Sequence, residues 1–170
     1  AQTLASLDAA GVQYAIYDGV EPNPKIRNIK EAKQVYLDND CDSIITVGGG
    51  SSHDAGKGTG ILLTNGDDIT KLAGIETLEN PLPPLMAVNT TAGTASELTR
   101  HCVITNEETK LKFVVVSWRK VPLVSFNEPM TESDVTKGLH AANGRETFVQ
   151  AIETDVSTNR NEINDGQCDE

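Results

Sequence analysis

Apolar and polar positions along this chain follow two periods, one near two residues and one near 3.6, and they alternate in blocks. Residues 4–10 read as the tail of a helix that Gly11 closes at a left-handed C-terminal position. Residues 12–17 form a short apolar run that predicts a strand. The segment 18–24 is rich in helix and strand breakers; within it Asn23 is placed to cap a helix whose first position is Pro24. From residue 25 to 39, Ile26, Ile29, Ala32, Val35 and Tyr36 recur at helical spacing. A β-branched strand over 42–47 runs into Gly48-Gly49-Gly50, and a helix follows over 51–64. A short helix is expected at 67–73. A proline-rich approach then leads to a strand at 85–88 and a loop of small polar residues at 89–97. Two strands, 101–105 and 112–117, are joined by the polar turn 106–109 as a hairpin, and 121–126 is one more strand. From Thr131 the chain is polar and helical, most clearly over 141–156, and the last ten residues read as frayed.

Strand, helix, strand, helix, strand predicts an α/β fold. The expected architecture is a Rossmann-like, open, mostly parallel sheet with helices on both faces plus a β-hairpin. With aromatic residues at only 4% of 170, the core must rest on Val, Ile, Leu and Ala. The formal net charge of −11 sets the chain against phosphate backbones and anionic lipid, which argues against nucleic acid and membrane surfaces as partners. A dinucleotide remains compatible, because local backbone amides hold a pyrophosphate without a basic surface. Cys41, Cys102 and Cys168 are odd in number and none stands at CxxC spacing. A reducing, cytoplasmic compartment is the expectation. No apolar run approaches the ~18 residues of a membrane span, and no basic-then-apolar signal segment opens the chain. The first residue is Ala rather than Met, which points to processing or trimming.

Two segments carry candidate chemistry. The first is Gly48-Gly49-Gly50-Ser51-Ser52-His53-Asp54-Ala55-Gly56-Lys57, where a strand ends, glycines turn and a helix begins. Glycine lets backbone N–H groups approach an anion, and a helix N-terminus adds unpaired donors with roughly half a unit of positive charge. Together they make a pyrophosphate cradle; a plain strand-to-helix turn is the competing reading. Gly56, Gly58 and Gly60 inside that helix cost about 1 kcal/mol each relative to Ala, unless close packing requires them. The second segment is Asn89-Thr90-Thr91-Ala92-Gly93-Thr94-Ala95-Ser96-Glu97. Its hydroxyls and its glycine follow a strand, where ligands bind in open α/β sheets; a polar connecting loop is the alternative.

In this order the two segments resemble the iron-containing (group III) alcohol dehydrogenase family, with its GGGSxxDxxK and NTTAGTxSE motifs. The turn Glu21-Pro22-Asn23-Pro24 and the hairpin with Lys112 match as well, so the resemblance covers roughly residues 4–157. It implies NAD or NADP as cofactor, with Gly48, Gly49, Gly50 and Ser51 on the pyrophosphate. Asn23, Asp54, Thr90, Thr91, Thr94, Ser96 and Lys112 would line the same cleft. It also implies a divalent metal, iron or zinc, that polarises the hydroxyl of a small alcohol while hydride passes between substrate and nicotinamide. The matching division is a nucleotide-binding domain over 1–130 and the start of a helical metal-binding domain, or a polar tail, over 131–170.

The chain departs from that family where the metal should sit. The family's GMDALxHAIE, with Asp and His four apart on one helical face, stands here as Gly144-Arg145-Glu146-Thr147-Phe148-Val149-Gln150-Ala151-Ile152-Glu153. Glu146 and Gln150 keep the spacing, but Gln offers a neutral amide in place of imidazole. A solvated helix face is the competing reading of the pair. His53, His101 and His140 show no metal-ligand spacing, and no residue is assigned a catalytic role. The family's first strand, ending in an Asp that contacts the adenosine ribose, has no counterpart, so one wall of the adenine site is expected to be missing and an open sheet edge invites homo-oligomers. A truncated, diverged or engineered cofactor domain is the expectation. Three functions compete: a dehydrogenase of small alcohols or aldehydes that is incomplete as a catalyst, a dinucleotide-binding module without turnover, and a scaffold without ligand.

Overall fold

The computed structural model describes residues 2–127 and 136–158. In chain order the elements are α1 (Gln2–Ala9), α2 (Ile26–Asp38), β1 (Ile44–Gly48), α3 (Gly50–Thr64), β2 (Gly74–Ile75), β3 (Leu85–Asn89), β4 (His101–Asn106), β5 (Leu111–Val116), β6 (Val124–Asn127) and α4 (Lys137–Asp155). Two short 3-10 turns, Ile69–Leu72 and Trp118–Lys120, complete the described set.

The strands form two sheets. The first is all parallel in the order β1-β3-β6, and the second places β5 between β2, which runs parallel to it, and β4, which runs antiparallel. The first is the open parallel sheet of a Rossmann-like α/β fold, and β4 with β5 is the expected hairpin. In the parallel sheet, Gly48 pairs with Asn89 and Asn89 with Asn127. The carboxyl ends of three strands therefore lie side by side, and the loops after β1 and β3 leave the sheet together.

Helix α3 is the centre of the core. It packs on β1 and β3 on one side, on β4 on another, and against α2. Ile61 and Leu62 of α3, Ile29 of α2, Cys102 and Ile104 of β4 and Val115 of β5 are buried in one cluster. The glycines explain how one helix meets so many neighbours. A Cβ on Gly56 would overlap Thr46 Cγ2, one on Gly58 would come within 2.9 Å of Ile29 Cγ2, and one on Gly60 within 3.0 Å of Leu82 Cδ1. Close packing thus offsets the poor helix propensity of this stretch.

Gly11 does close α1, with φ +67. Two expectations fail. Residues 12–17 join no ladder, and Val12, Tyr14 and Ile16 are exposed: an extended apolar run is a strand only where a neighbouring strand takes its backbone hydrogen bonds, and no described strand does; the Val12 amide donates instead to Leu7 O of α1 at 3.0 Å. Asn23 does not cap α2. It takes a left-handed conformation, φ +58, and the cap position falls on Lys25. The Asn28 side chain accepts from Lys25 N at 2.9 Å. Glu107, at the hairpin turn, accepts from Ile26 N and Arg27 N at 3.1 and 3.3 Å. Strand β2 has two residues and no pattern of its own. Helix α4 begins four residues before the expected start, where Thr136 Oγ1 accepts from Leu139 N. Residues 131–135 of the polar stretch, and the whole of the frayed end with Cys168, lie outside the described residues. Cys41 and Cys102 are free thiols. Among the described residues no helix is long and apolar enough to cross a membrane.

Candidate functional site

The glycine turn begins at Gly48, whose φ of +141 is open only to glycine without strain. Gly49 takes the N-cap position of α3 in extended conformation, and no side chain caps this end. A fifteen-residue helix therefore presents its N-terminal donors and the positive end of its dipole at the carboxyl edge of the sheet. The second motif closes against it. Thr90 N donates to Gly48 O at 3.0 Å, a Cβ on Gly49 would stand 2.6 Å from Thr91 Oγ1, and one on Gly50 would stand 2.6 Å from Thr94 Oγ1. Glycine at 49 and 50 is what lets the threonine loop lie on the helix end. Bare backbone donors beside threonine hydroxyls are a donor set that fits a pyrophosphate.

Under this surface the loop is tied down by buried charges. Lys57 is fully buried; its ammonium donates to the carbonyls of Ser96 (2.5 Å), Thr99 (2.8 Å) and His101 (2.9 Å) and to Ser96 Oγ (3.2 Å). Burial lowers its pKa, while Asp54 pulls the other way. Asp54 accepts from Ser96 Oγ at 2.8 Å and from Val103 N at 3.2 Å, joining α3 to the loop and to β4. Burial raises its pKa against the opposing effect of Lys57. Ser96 and Asp54 thus serve the loop's shape first.

On the other side of the helix end, Asn23 is held by three elements. Its N–H donates to Ser51 Oγ at 3.2 Å, Lys112 Nζ donates to its Oδ1 at 2.6 Å, and Thr105 Oγ1 donates to its carbonyl at 3.4 Å. Its left-handed backbone follows from that clamp. A cleft of about 1220 Å³ opens between these groups and α4. Of the residues singled out from sequence, Asn23, Gly50, Ser51, Asp54, Thr94, Ser96, Lys112, Glu146 and Gln150 line it, while Gly48, Gly49, Thr90 and Thr91 do not. Sequence reasoning missed Arg100, His101 and Thr105 of the lining. Arg100 lies over the Trp118 ring at 4.9 Å, and no local pattern pointed to it. The His101 pKa is lowered by partial burial and by the cations Lys120, Arg100 and Lys57. His140 is exposed on α4. Lys57 was legible as the end of the first motif, but its role as a clamp was not.

A metal does not fit what the cleft offers. Gln150 Nε2 donates to Glu146 Oε1 at 3.4 Å, so the pair is engaged with itself, and no group of three His, Cys, Asp or Glu able to hold a metal ion occurs among the described residues. A carboxylate paired with an amide is a weak donor set for iron or zinc.

Residues 1–129 match the profile of iron-containing alcohol dehydrogenase. The chain belongs to the iron-containing alcohol dehydrogenase family. Among its relatives in this family, 1,3-propanediol dehydrogenase of Klebsiella pneumoniae is 54% identical over 164 residues, which is 96% of this chain and 42% of that protein. An alcohol dehydrogenase from Oenococcus oeni superposes with a TM-score of 0.95 at 71% identity, covering 98% of this chain and 44% of that one. A sulfoacetaldehyde reductase from Bifidobacterium kashiwanohense, solved in complex with NAD+, superposes with a TM-score of 0.83 at 30% identity, over 98% of this chain and 44% of that one. The chain thus spans well under half the length of these family members.

Proposed function

We propose that this chain is the dinucleotide-binding part of an NAD(P)-dependent alcohol dehydrogenase, an oxidoreductase acting on a small alcohol or aldehyde. The observation that carries the reading is the Gly48–Asn89 pairing, which sets an uncapped helix N-terminus and a threonine loop side by side at the sheet's carboxyl edge. The family and a relative solved with NAD+ support it. In this reading the N-terminal amides of α3, with Ser51, hold the pyrophosphate. Lys112 and Asn23 hold the neighbouring sugar or phosphate oxygens, and Thr94 faces the inner part of the cleft. When bound, NAD or NADP supplies hydride acceptance and donation; the residues of this chain bind it, orient it and shield it from water.

Residues 1–130 form the nucleotide-binding domain and 131–170 begin a second, helical one. The exposed apolar residues Leu139, Phe148, Val149 and Ile152 on α4 support that division, since a helix whose apolar side chains are left exposed by the described residues has a face left for further structure. Self-association is part of the proposal; the half-exposed Val47, Val124 and Phe126 on the parallel sheet support it, and sedimentation velocity tests it. The acidic composition argues against nucleic acid and membrane partners, and three cysteines without CxxC spacing support a cytoplasmic protein.

A second reading, dinucleotide binding without turnover, is favoured by the Glu146–Gln150 pair, a weak donor set where the family places its metal. Calorimetric titration with NADH tests both readings. Saturable binding, lost in Gly49→Val while the circular dichroism spectrum is kept, is the expected result. No heat at about 1 mM cofactor, the upper end of ordinary KM values, overturns the dinucleotide reading.

A further inference from the structure

We propose that His53 is a positioning residue for the cofactor loop, linking Thr46 of β1 through Asn89 to the backbone of Thr91 and so setting how that loop lies on the glycine turn. The inference rests on the dinucleotide reading above for its functional meaning, and on hydrogen-bond geometry for its substance. His53 is buried at 1% exposure on the second turn of α3. Its Nδ1 lies 2.8 Å from Thr46 Oγ1 and its Nε2 lies 3.4 Å from Asn89 Oδ1. Asn89 in turn brackets Thr91: its Oδ1 accepts from Thr91 N at 3.3 Å and its Nδ2 donates to Thr91 O at 2.7 Å. Thr91 is the residue whose hydroxyl a Cβ on Gly49 would strike. One chain of contacts therefore runs from the strand, through the imidazole, to the wall of the anion cradle.

Chemistry selects the tautomer. An amide oxygen can only accept, so Nε2 carries the proton and donates to Asn89. Nδ1 is then the acceptor, and Thr46 donates to it. Adding a second proton makes Nδ1 a donor and turns the Thr46 hydroxyl towards Met86 O, which lies 3.3 Å away. The charged groups that face His53 are Asp54 and Lys57 on its own helix and Glu97 on the loop after β3. Asp54 and Glu97 favour the cation, whereas burial and Lys57 disfavour it, and burial is the largest effect. The neutral relay is thus the resting form near pH 7, and protonation on acidification places a charge beneath the loop.

The test uses the full chain with NADH as probe. In the parent, the Thr91 amide resonance shifts and NADH affinity weakens together as pH falls below the ordinary histidine range. His53→Leu fills the volume but cuts both links. It is expected to shift the Thr91 amide and weaken NADH about fivefold at pH 7.5, the value of one hydrogen bond near 1 kcal/mol. His53→Gln, with an amide able to accept from Thr46 and donate to Asn89, is expected to restore affinity to about twofold of the parent and to remove the pH dependence. A purely space-filling His53 predicts no rescue and no pH term. An unmoved Thr91 amide in folded His53→Leu, or a pH profile that survives in His53→Gln, overturns the proposal. If His53→Leu does not fold, the Gln variant and the parent's titration decide it. If the parent binds no NADH, the dinucleotide reading fails, and the Thr91 amide still decides the relay.

Discussion

Lys120 is an ammonium group in the wrong solvent. Its side chain is fully buried at the end of the turn after β5, and among the described residues its Nζ has no hydrogen-bond partner. Burial pushes its pKa down from 10.5 to about 8, although Cys102, Asp54 and Glu76 pull the other way. At about 1.36 kcal/mol per pKa unit, holding the charge inside costs the folded state about 3 kcal/mol at neutral pH. The folded pKa lies below the unfolded one. Below about 8 both states are protonated and the cost is complete; between about 8 and 10.5 the unfolded chain keeps a proton that the folded chain has lost, so stability rises with pH across that window. Lys120→Met keeps the length and removes the charge. It is expected to stabilise the protein at pH 7 by about 2 kcal/mol, some of the gain being lost because Asp54 and Glu76 lose a nearby cation. At about 2–4 °C per kcal/mol for a chain of this size, Tm should rise by about 4–8 °C. Thermal unfolding followed by circular dichroism at pH 7, 8.5 and 10 tests the sign and the pH profile. The gap between variant and parent should be widest at pH 7 and close towards pH 10. A variant less stable than the parent at pH 7, or a gap that ignores pH, refutes the reasoning.

The other buried lysine should behave in the opposite way. Lys57→Met leaves four oxygens of the 96–101 segment without their donor and is expected to cost about 3–5 kcal/mol in urea unfolding, with 96–101 the first segment to exchange its amide hydrogens. Glu107→Ala removes a carboxylate that receives the Ile26 and Arg27 amides, and should cost about 1–2 kcal/mol; Glu107→Gln should recover part of it, and chemical denaturation resolves the two.

What the sequence disclosed and what it hid follow from the range of the forces involved. The strand over 44–48, the glycine turn and α3 were legible because hydrophobic period and turn chemistry are local. The strand at 85–89, the hairpin and most of α4 were legible for the same reason. Residues 12–17 carried the same local signal and formed no strand, since a ladder depends on a neighbour. Asn23 looked like a cap because caps are read from adjacent residues, yet the capping groups came from Asn28 within the helix and from Glu107 about 80 residues away. At the site, both motifs were visible; a shared cleft was implied only by the family resemblance, and Gly50, Ser51, Asp54, Thr94 and Ser96 line one while Gly48, Gly49, Thr90 and Thr91 do not. The lysines beneath were not: a charged residue reads as surface until the fold encloses it, and nothing near Lys57 or Lys120 in the chain announces burial. The glycines of α3 were the reverse case, visible as an anomaly whose cause lay in Thr46, Ile29 and Leu82.

That glycine-studded helix has a consequence for the order in which the molecule assembles. With Gly56, Gly58 and Gly60 in its middle, α3 carries about 3 kcal/mol of helix-forming disadvantage relative to alanine. It has little reason to be helical before β1, α2 and β4 are there to enclose it. The anion-binding end therefore depends on β1, α2 and β4 for its helical form. A dinucleotide that binds that end, as proposed, binds the folded form alone, so its binding should raise the stability of the whole described core rather than of one loop.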